Sequence, residues 1–300
     1  MVTGASSGIG KETALRYAGK GAELVLAARS EKALQRVADQ CRAAGAGDVL
    51  VHVTDIAETE QVESLFAAAV ARFGHVDITV QCAAITAFGR FADVPAGVFD
   101  AIVRTNLLGS ANVARCALAH FQAREAGHLI LIGSLLGSVA VPYQSAYVAS
   151  KFGLNGLVRA LRQEYRHSPG IRVHGVYPGP VDTPVFSTAS NYFGRTPRIP
   201  PAAVAPSTVV AAIIRATDRP RSSERQVGWL NRPAIAAYRM FPALFDAIVG
   251  PLLRAVAFTS EPTDSSDGNA FETAQADDES NDALTRGPAQ KGVAVVELPS

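Results

Sequence analysis

The chain has 300 residues, with 28 basic and 27 acidic side chains and a formal net charge of +1. That balance supplies no global field for nucleic acid, and this partner class is set aside. With 48% hydrophobic and 18% charged residues the length is ample for one large α/β core, while three widely spaced cysteines (Cys41, Cys82, Cys116) offer neither a disulfide framework nor metal-ligand spacing.

The first residues, Met-Val-Thr-Gly, lack the basic-then-apolar pattern of a secretory leader, so a cytoplasmic location is expected. Met1 to Thr3 runs into Gly4-Ala-Ser-Ser-Gly-Ile-Gly10 and then into helix-like Lys11 to Gly19. Glycines at 4, 8 and 10 let the backbone turn tightly and approach a pyrophosphate, which then rests on a helix N-terminus. Leu24–Ala28, Val49–Val53 and Ile78–Ala83 read as short apolar strands, alternating with helices at Lys32–Ala44 and Glu60–Phe73. This βαβαβ alternation predicts a doubly wound parallel sheet. At most three residues precede the first glycine, where strands average about five or six. The first strand is therefore expected to be truncated, with the true start upstream.

Two strand ends bear on a dinucleotide. The second ends Leu26-Ala27-Ala28-Arg29-Ser30, with no acidic residue for a ribose 2′-hydroxyl. Arg29 offers a cation to a 2′-phosphate, which favours NADP(H) over NAD(H); the alternative is a solvated loop charge. After the third strand, Asp55 has two readings, acceptor for an adenine amine or cap for the next helix.

Phe99–Ala119 has helical spacing with Asn106 in its middle, where asparagine is a poor helix former. A kink, a water-anchoring amide and a merely exposed or backbone-bonded side chain all remain open. Leu129–Ser134 reads as a strand ending on a hydroxyl, and Ser145–Arg166 as a helix carrying Tyr147 and Lys151. Four apart on a helix, they share a face. A neighbouring ammonium favours the phenolate and lowers the tyrosine pKa from about 10, making the pair a candidate acid/base device.

Ile171–Val176 reads as a strand leading into Tyr177-Pro178-Gly179-Pro180-Val181-Asp182-Thr183, a rigid turn at the strand end where such sheets bind ligands. Phe186–Pro206 has no period and reads as a mobile lid. A helix at Ser207–Thr217 and a short strand at Gln226–Trp229 follow. Pro233–Phe258 is apolar but interrupted by Arg239, Asp246, Arg254 and two prolines, which predicts two short amphipathic helices. Their apolar faces have two destinations, core or subunit contact and a membrane surface. From Thr259 to Ser300 nine acidic residues face two basic ones, a net −7, in a Ser/Asp/Gly/Ala-rich stretch expected to be disordered. Residues 231–258 are thus set apart as a helical extension and 259–300 as an acidic tail.

Jointly, these motifs resemble the short-chain dehydrogenase/reductase family. The resemblance runs from Val2 to about Gly228 and rests on the Thr-Gly-xxx-Gly-x-Gly loop at Thr3–Gly10, Asp55, Asn106, Ser134, the Tyr147-xxx-Lys151 pair 13 residues beyond Ser134, and the Pro-Gly turn with Thr183. It implies a single-domain Rossmann fold over residues 1–230 with a seven-stranded parallel sheet, and dimers or tetramers packed through the helices bearing Asn106 and Tyr147. It implies Tyr147 as general acid/base, Lys151 as the group that lowers its pKa and binds the nicotinamide ribose, and Ser134 as hydrogen-bond partner of the substrate oxygen. Asn106 would hold a water linking Lys151 to solvent. Gly4, Ser6, Gly8, Ile9 and Gly10 would line the pyrophosphate, Ala83 the cofactor ribose, and Pro178, Gly179, Val181 and Thr183 the nicotinamide end.

One stretch departs from the family pattern. Asn-Asn-Ala-Gly is replaced by Gln81-Cys82-Ala83-Ala84, so weaker cofactor contact and local stability are expected, with Cys82 an inert buried thiol rather than a nucleophile. The function expected is an NADP(H)-dependent alcohol/carbonyl oxidoreductase, with Leu135, Leu136, Phe186 and Phe193 suggesting an apolar small-molecule substrate. Two alternatives stand beside it: a membrane-associated reductase of lipid-like carbonyls, and a non-catalytic cofactor-binding sensor or scaffold.

Overall fold

The computed structural model describes residues 1–272. The chain begins with β1 (Val2–Thr3), α1 (Gly8–Ala18), β2 (Leu24–Ala28), α2 (Glu31–Ala43), β3 (Val49–Val53), α3 (Thr59–Phe73) and β4 (Ile78–Gln81). After a two-residue strand β5 (Ala87–Phe88) come α4 (Ala96–Val103), a π-helical turn at Arg104–Gly109, α5 (Ser110–Arg124), β6 (Gly127–Ile132), a 3-10 turn at Leu135–Gly137 and α6 (Ser145–Glu164). The remainder comprises β7 (Ile171–Pro178), β8 (Ser190–Asn191), β9 (Arg195–Pro197), α7 (Pro206–Thr217), β10 (Ser223–Val227), α8 (Asn231–Met240), α9 (Pro242–Ala257) and β11 (Phe258–Pro262).

Seven strands form one parallel sheet in the order β10-β7-β6-β4-β1-β2-β3. The chain runs outward from β1 to β3, then returns to the other side of β1 for β4 and beyond. The C-terminal ends of β1 and β4 therefore border the crevice where strand order reverses, which is where such sheets hold ligands. β1 is central yet only two residues long; Val2 pairs with Leu26 on one side and Val80 on the other. The Met1 nitrogen donates to the Ile78 carbonyl at 2.8 Å and continues the ladder by one residue.

Alternation along the strands sends side chains to two cores. Leu129 and Leu131 of β6 face α3, α5 and α6, meeting Leu65, Val113, Phe121 and Leu154. Ile130 and Ile132 face the other way, toward Ala14 of α1, Leu34 of α2 and Ile213 of α7. Ser30 caps α2 by accepting from the Ala33 N–H, with Glu31 in the first turn and Arg42 in the last, as the helix dipole favours.

Two expectations about the C-terminal third change and one holds. Phe186–Pro206 is not a structureless lid: β8 pairs with β5, and β9 pairs with β11. Those strands are two or three residues long on one side, too short to announce themselves as a period. Pro233–Phe258 does form two helices, α8 and α9, with Pro251 inside α9. Among the described residues no helix is long and apolar enough to cross a membrane. The part of the expected disordered tail from Thr259 to Glu272 is packed on the domain through β11 and the residues after it; residues 273–300 lie outside the described residues.

Candidate active site

The glycine loop is shaped by contacts that exclude side chains. A Cβ on Gly4 (φ +68°) would lie 2.5 Å from the Ala83 nitrogen, and one on Gly10 would collide with the Gly4 carbonyl oxygen. Gly8 (φ +52°) abuts Thr183, whose Cγ2 would be 3.1 Å from an added Cβ. The loop after β1 is thereby brought against the loop after β4 and the loop after β7. α1 starts at Gly8 with no side-chain cap and no acidic residue in its first turn. Its free N–H groups and positive dipole end suit a pyrophosphate, so these residues fit a dinucleotide.

Gln81 answers the departure at the end of β4. Its Oε1 accepts from the Thr3 hydroxyl at 3.0 Å, and its Nε2 donates to the Ala83 carbonyl at 3.1 Å and to Ser110 Oγ at 2.5 Å. One buried amide thus joins β1, the loop after β4 and α5. The loss of local ties expected from Cys82 does not follow, because the neighbouring residue supplies them. A polar residue at the end of the apolar run Ile78–Gln81 was the available signal. Cys82 as a residue is half-buried, and desolvation by burial pushes its thiol up to about 12, well away from nucleophile range, in keeping with an inert buried thiol.

Asn106 lies in the π-helical turn, so the kink among its three readings is present. Its Oδ1 accepts from the Ile85 N–H at 2.9 Å, and its Nδ2 donates to the Ile85 carbonyl at 2.8 Å and to Ser150 Oγ at 3.1 Å. Both amide hydrogens are spent on protein, so the amide positions the loop after β4 against α6 rather than offering its N–H groups to a water.

Ser134 follows the end of β6, where its Oγ accepts from the Leu136 N–H at 3.1 Å and the side chain also bonds Tyr147. Lys151 is 2% exposed; its Nζ donates to the Ile132 carbonyl at 3.0 Å and lies 5.5 Å from the centre of the Tyr147 ring. Burial raises the Tyr147 pKa, and the hydrogen bond with Ser134 opposes that rise. Burial also lowers Lys151, to about 8. The expected lowering of Tyr147 by Lys151 is therefore not the dominant effect. The phenol stays protonated near neutral pH, a proton donor by default.

The remaining residues divide. Asp55 Oδ1 accepts from the Ala57 N–H at 2.9 Å and the Asp55 N–H donates to Gln61 Oε1 at 2.8 Å, so the carboxylate shapes the turn before α3. Gly179 is held by its N–H to the Val227 carbonyl at 2.8 Å, Val181 is buried against Val204, and Thr183 faces Gly8. Pro178 ends β7. Ser6 and Ile9 lie half-buried in the loop and first turn. The Arg29 guanidinium donates to the Asn269 carbonyl at 2.7 Å, a partner 240 residues away that no local pattern announces. Phe186 stacks on Phe88, and Phe193 on Phe258, so the aromatics expected to line an apolar pocket join one aromatic cluster, and Phe193 also borders a cavity. That cavity, of about 330 Å³, is lined by Arg90, Asp93, Tyr143, Tyr192, Phe193, Arg195 and Arg254. Tyr143 holds a left-handed φ of 69°, fixed by the Gly89 N–H on its carbonyl and by Arg254 on its hydroxyl at 2.7 Å.

Residues 1–192 match the family description "short chain dehydrogenase". The chain belongs to the short-chain dehydrogenase/reductase family. An oxidoreductase of Bacillus subtilis, YxnA, is 31% identical over 274 residues, 90% of this chain and 76% of the relative. Among solved structures, an alcohol dehydrogenase of the archaeon Thermococcus sibiricus complexed with 5-hydroxy-NADP superposes with a TM-score of 0.66 at 28% identity, covering 77% of this chain and 95% of that one. A variant actinorhodin polyketide ketoreductase with NADPH gives 0.67 at 27% identity, covering 77% and 95%. As a member of this family the protein is an NAD(P)-dependent oxidoreductase.

Proposed function

We propose that this protein is an NADP(H)-dependent oxidoreductase that interconverts an alcohol and a ketone or aldehyde on a small molecule. The observation that carries the reading is the meeting of Ser134, Tyr147 and Lys151 at the C-terminal end of β6, on the side of the sheet where the glycine loop and Ala83 converge. A bound nicotinamide dinucleotide supplies or takes the hydride. The protein supplies the rest. In reduction Tyr147 Oη gives its proton to the carbonyl oxygen, and Ser134 Oγ–H bonds that oxygen as negative charge builds on it. Lys151, buried and positive, stabilises charge on the phenolate left behind. Two relatives of known structure carry NADP-type cofactors, and Arg29, just after β2, offers a cation to a 2′-phosphate in place of an acidic residue; both favour NADP(H).

The test is NADPH and NADH consumption across a panel of carbonyl compounds. Tyr147→Phe is expected to abolish turnover while NADPH fluorescence still reports binding. Turnover at the wild-type rate rejects the proton assignment, and a strong preference for NADH rejects the reading of Arg29.

A second reading, a lipid-like carbonyl met at a membrane surface, is favoured by one observation. Phe241, Leu244, Ile248 and Leu252 form a single stripe along α9 and are 52–60% exposed, with Arg239 nearby on α8. Leu244→Ser/Ile248→Ser should lose co-sedimentation with anionic liposomes; equal behaviour of wild type and variant ends this reading. Exposed Leu108 and Phe152, beside Asn106 and Tyr147 on their helices, support a homodimer or homotetramer, which sedimentation velocity checks.

A further inference from the structure

The segment after β11 takes a path that neither the sequence pattern nor the family match foresees, since that match ends at residue 192. It crosses from the β7 side of the crevice to the β2 side. At one end Ser266 pairs with Asn191, exchanging N–H to carbonyl bonds of 2.7 and 2.9 Å, and Ser190 Oγ donates to the Asp267 carbonyl at 2.6 Å. In the middle the Asn269 N–H donates to the Thr188 carbonyl at 3.0 Å and its Nδ2 to Thr188 Oγ1 at 3.2 Å. At the far end the Asn269 carbonyl accepts from Arg29 Nη2 at 2.7 Å. Ala270 is 5% exposed, buried with Ile85 and Ala146, the neighbours of the Asn106-held loop and of Tyr147.

Two features point to a ligand. The Asn269 Oδ1 is buried and has no hydrogen-bond partner among the described residues, an unusual and costly state for an amide oxygen. Arg29 has five N–H donors in a planar fork; the Asn269 carbonyl takes one and fixes the plane, leaving others to grip an anion.

We propose that residues 264–271 are a strap over the dinucleotide crevice and that Asn269 is a cofactor-positioning residue, orienting Arg29 toward a 2′-phosphate and joining it to the loop at Thr188. The proposal rests on the NADP(H) reading above. Closed over a bound nucleotide, the strap slows its departure, and it favours the 2′-phosphorylated form because the cation it orients serves only that form.

Gly268 provides a way to lift the strap without touching a catalytic side chain. Its φ is +53°, and a Cβ there would lie 2.5 Å from the Ala189 carbonyl carbon and 2.6 Å from the Ser190 nitrogen, both backbone atoms. The experiment compares full-length wild type, Gly268→Val and Asn269→Ala. Stopped-flow fluorescence measures NADPH and NADH dissociation, and hydrogen exchange follows the amides of 188–191 and 266–271. In wild type, NADPH should slow exchange in both segments. In Gly268→Val, NADPH should leave about tenfold faster, with NADPH affinity falling more than NADH affinity, and Asn269→Ala should move the same way by less. Unchanged dissociation in both variants, or tighter NADPH binding once the strap is lifted, overturns the proposal. If Gly268→Val does not fold, Asn269→Ala decides alone. Wild-type protein that binds neither nucleotide refutes the dinucleotide reading and the strap with it, whereas nucleotide binding at unchanged rates refutes only the strap.

Discussion

Replacing Gln81 with leucine keeps the volume of the side chain and removes every polar contact it makes. Gln81 is 3% exposed, so no water takes over. Thr3, fully buried, loses the acceptor for its hydroxyl, and the Ala83 carbonyl loses a donor; Ser110 keeps a bond to the Asn106 carbonyl at 2.7 Å. Each of the two orphaned buried groups costs about 1–3 kcal/mol, and the extra apolar burial returns about 1 kcal/mol, so the net loss should be about 1–5 kcal/mol. For a chain of this size each kcal/mol shifts Tm by about 2–4 °C, which predicts a fall of about 2–20 °C. Differential scanning calorimetry on wild type, Gln81→Leu, Thr3→Val and the double variant measures it. Because the double variant removes both members of the Thr3–Gln81 bond, it should lose less than the sum of the two single losses. A Gln81→Leu Tm within about 1 °C of wild type, or strict additivity, refutes the assignment of Gln81 as the tie between β1 and β4.

Other consequences are equally concrete. His174 is fully buried between His128, at 3.3 Å, and Ser223, at 2.9 Å. Desolvation first, then His128 and nearby arginines, lower its pKa from 6.5 to about 3. The unfolded chain therefore binds the proton more readily, and stability is lost as pH falls from 6.5 toward 3, by about 2 kcal/mol at pH 5; urea titrations at pH 7 and 5 test this, and equal midpoints refute it. Lys151, lowered to about 8, must be charged to assist Tyr147, so carbonyl reduction should decline above pH 8; a flat kcat/KM profile from pH 7 to 9.5 would contradict that role. In Gly10→Ala the added methyl meets the Gly4 carbonyl, so the loop must shift and NADPH affinity should drop at least about tenfold, as fluorescence titration will show.

The chemistry-bearing residues were legible because they fall on regular elements. Ser134 follows an apolar strand by two residues, and Tyr147 and Lys151 share a helical face; period and spacing bring them near one another once the sheet is parallel. Their electrostatics were not legible. Helical spacing implies that Lys151 lowers Tyr147, but burial raises the phenol, and burial is a property of the packed core. Asn106 illustrates the same limit: its misfit in a helix signalled something, while its true partners, Ile85 and Ser150, lie 21 and 44 residues away.

The sequence by itself determined the alternation of strands and helices, the glycine loop and the spacing of Ser134, Tyr147 and Lys151, the set proposed for catalysis, since each is written in local periodicity or in a short motif. Only the tertiary structure decided what long-range backbone and amide contacts do. Gln81 takes over the ties that Cys82 cannot make, two- and three-residue strands pin the expected lid, and a segment read as disordered acidic tail closes on Arg29. Hydrophobic pattern records what each element buries; it does not record which carbonyl an arginine 240 residues earlier will meet. The few polar bonds that join distant loops across the crevice appear only when the chain is folded.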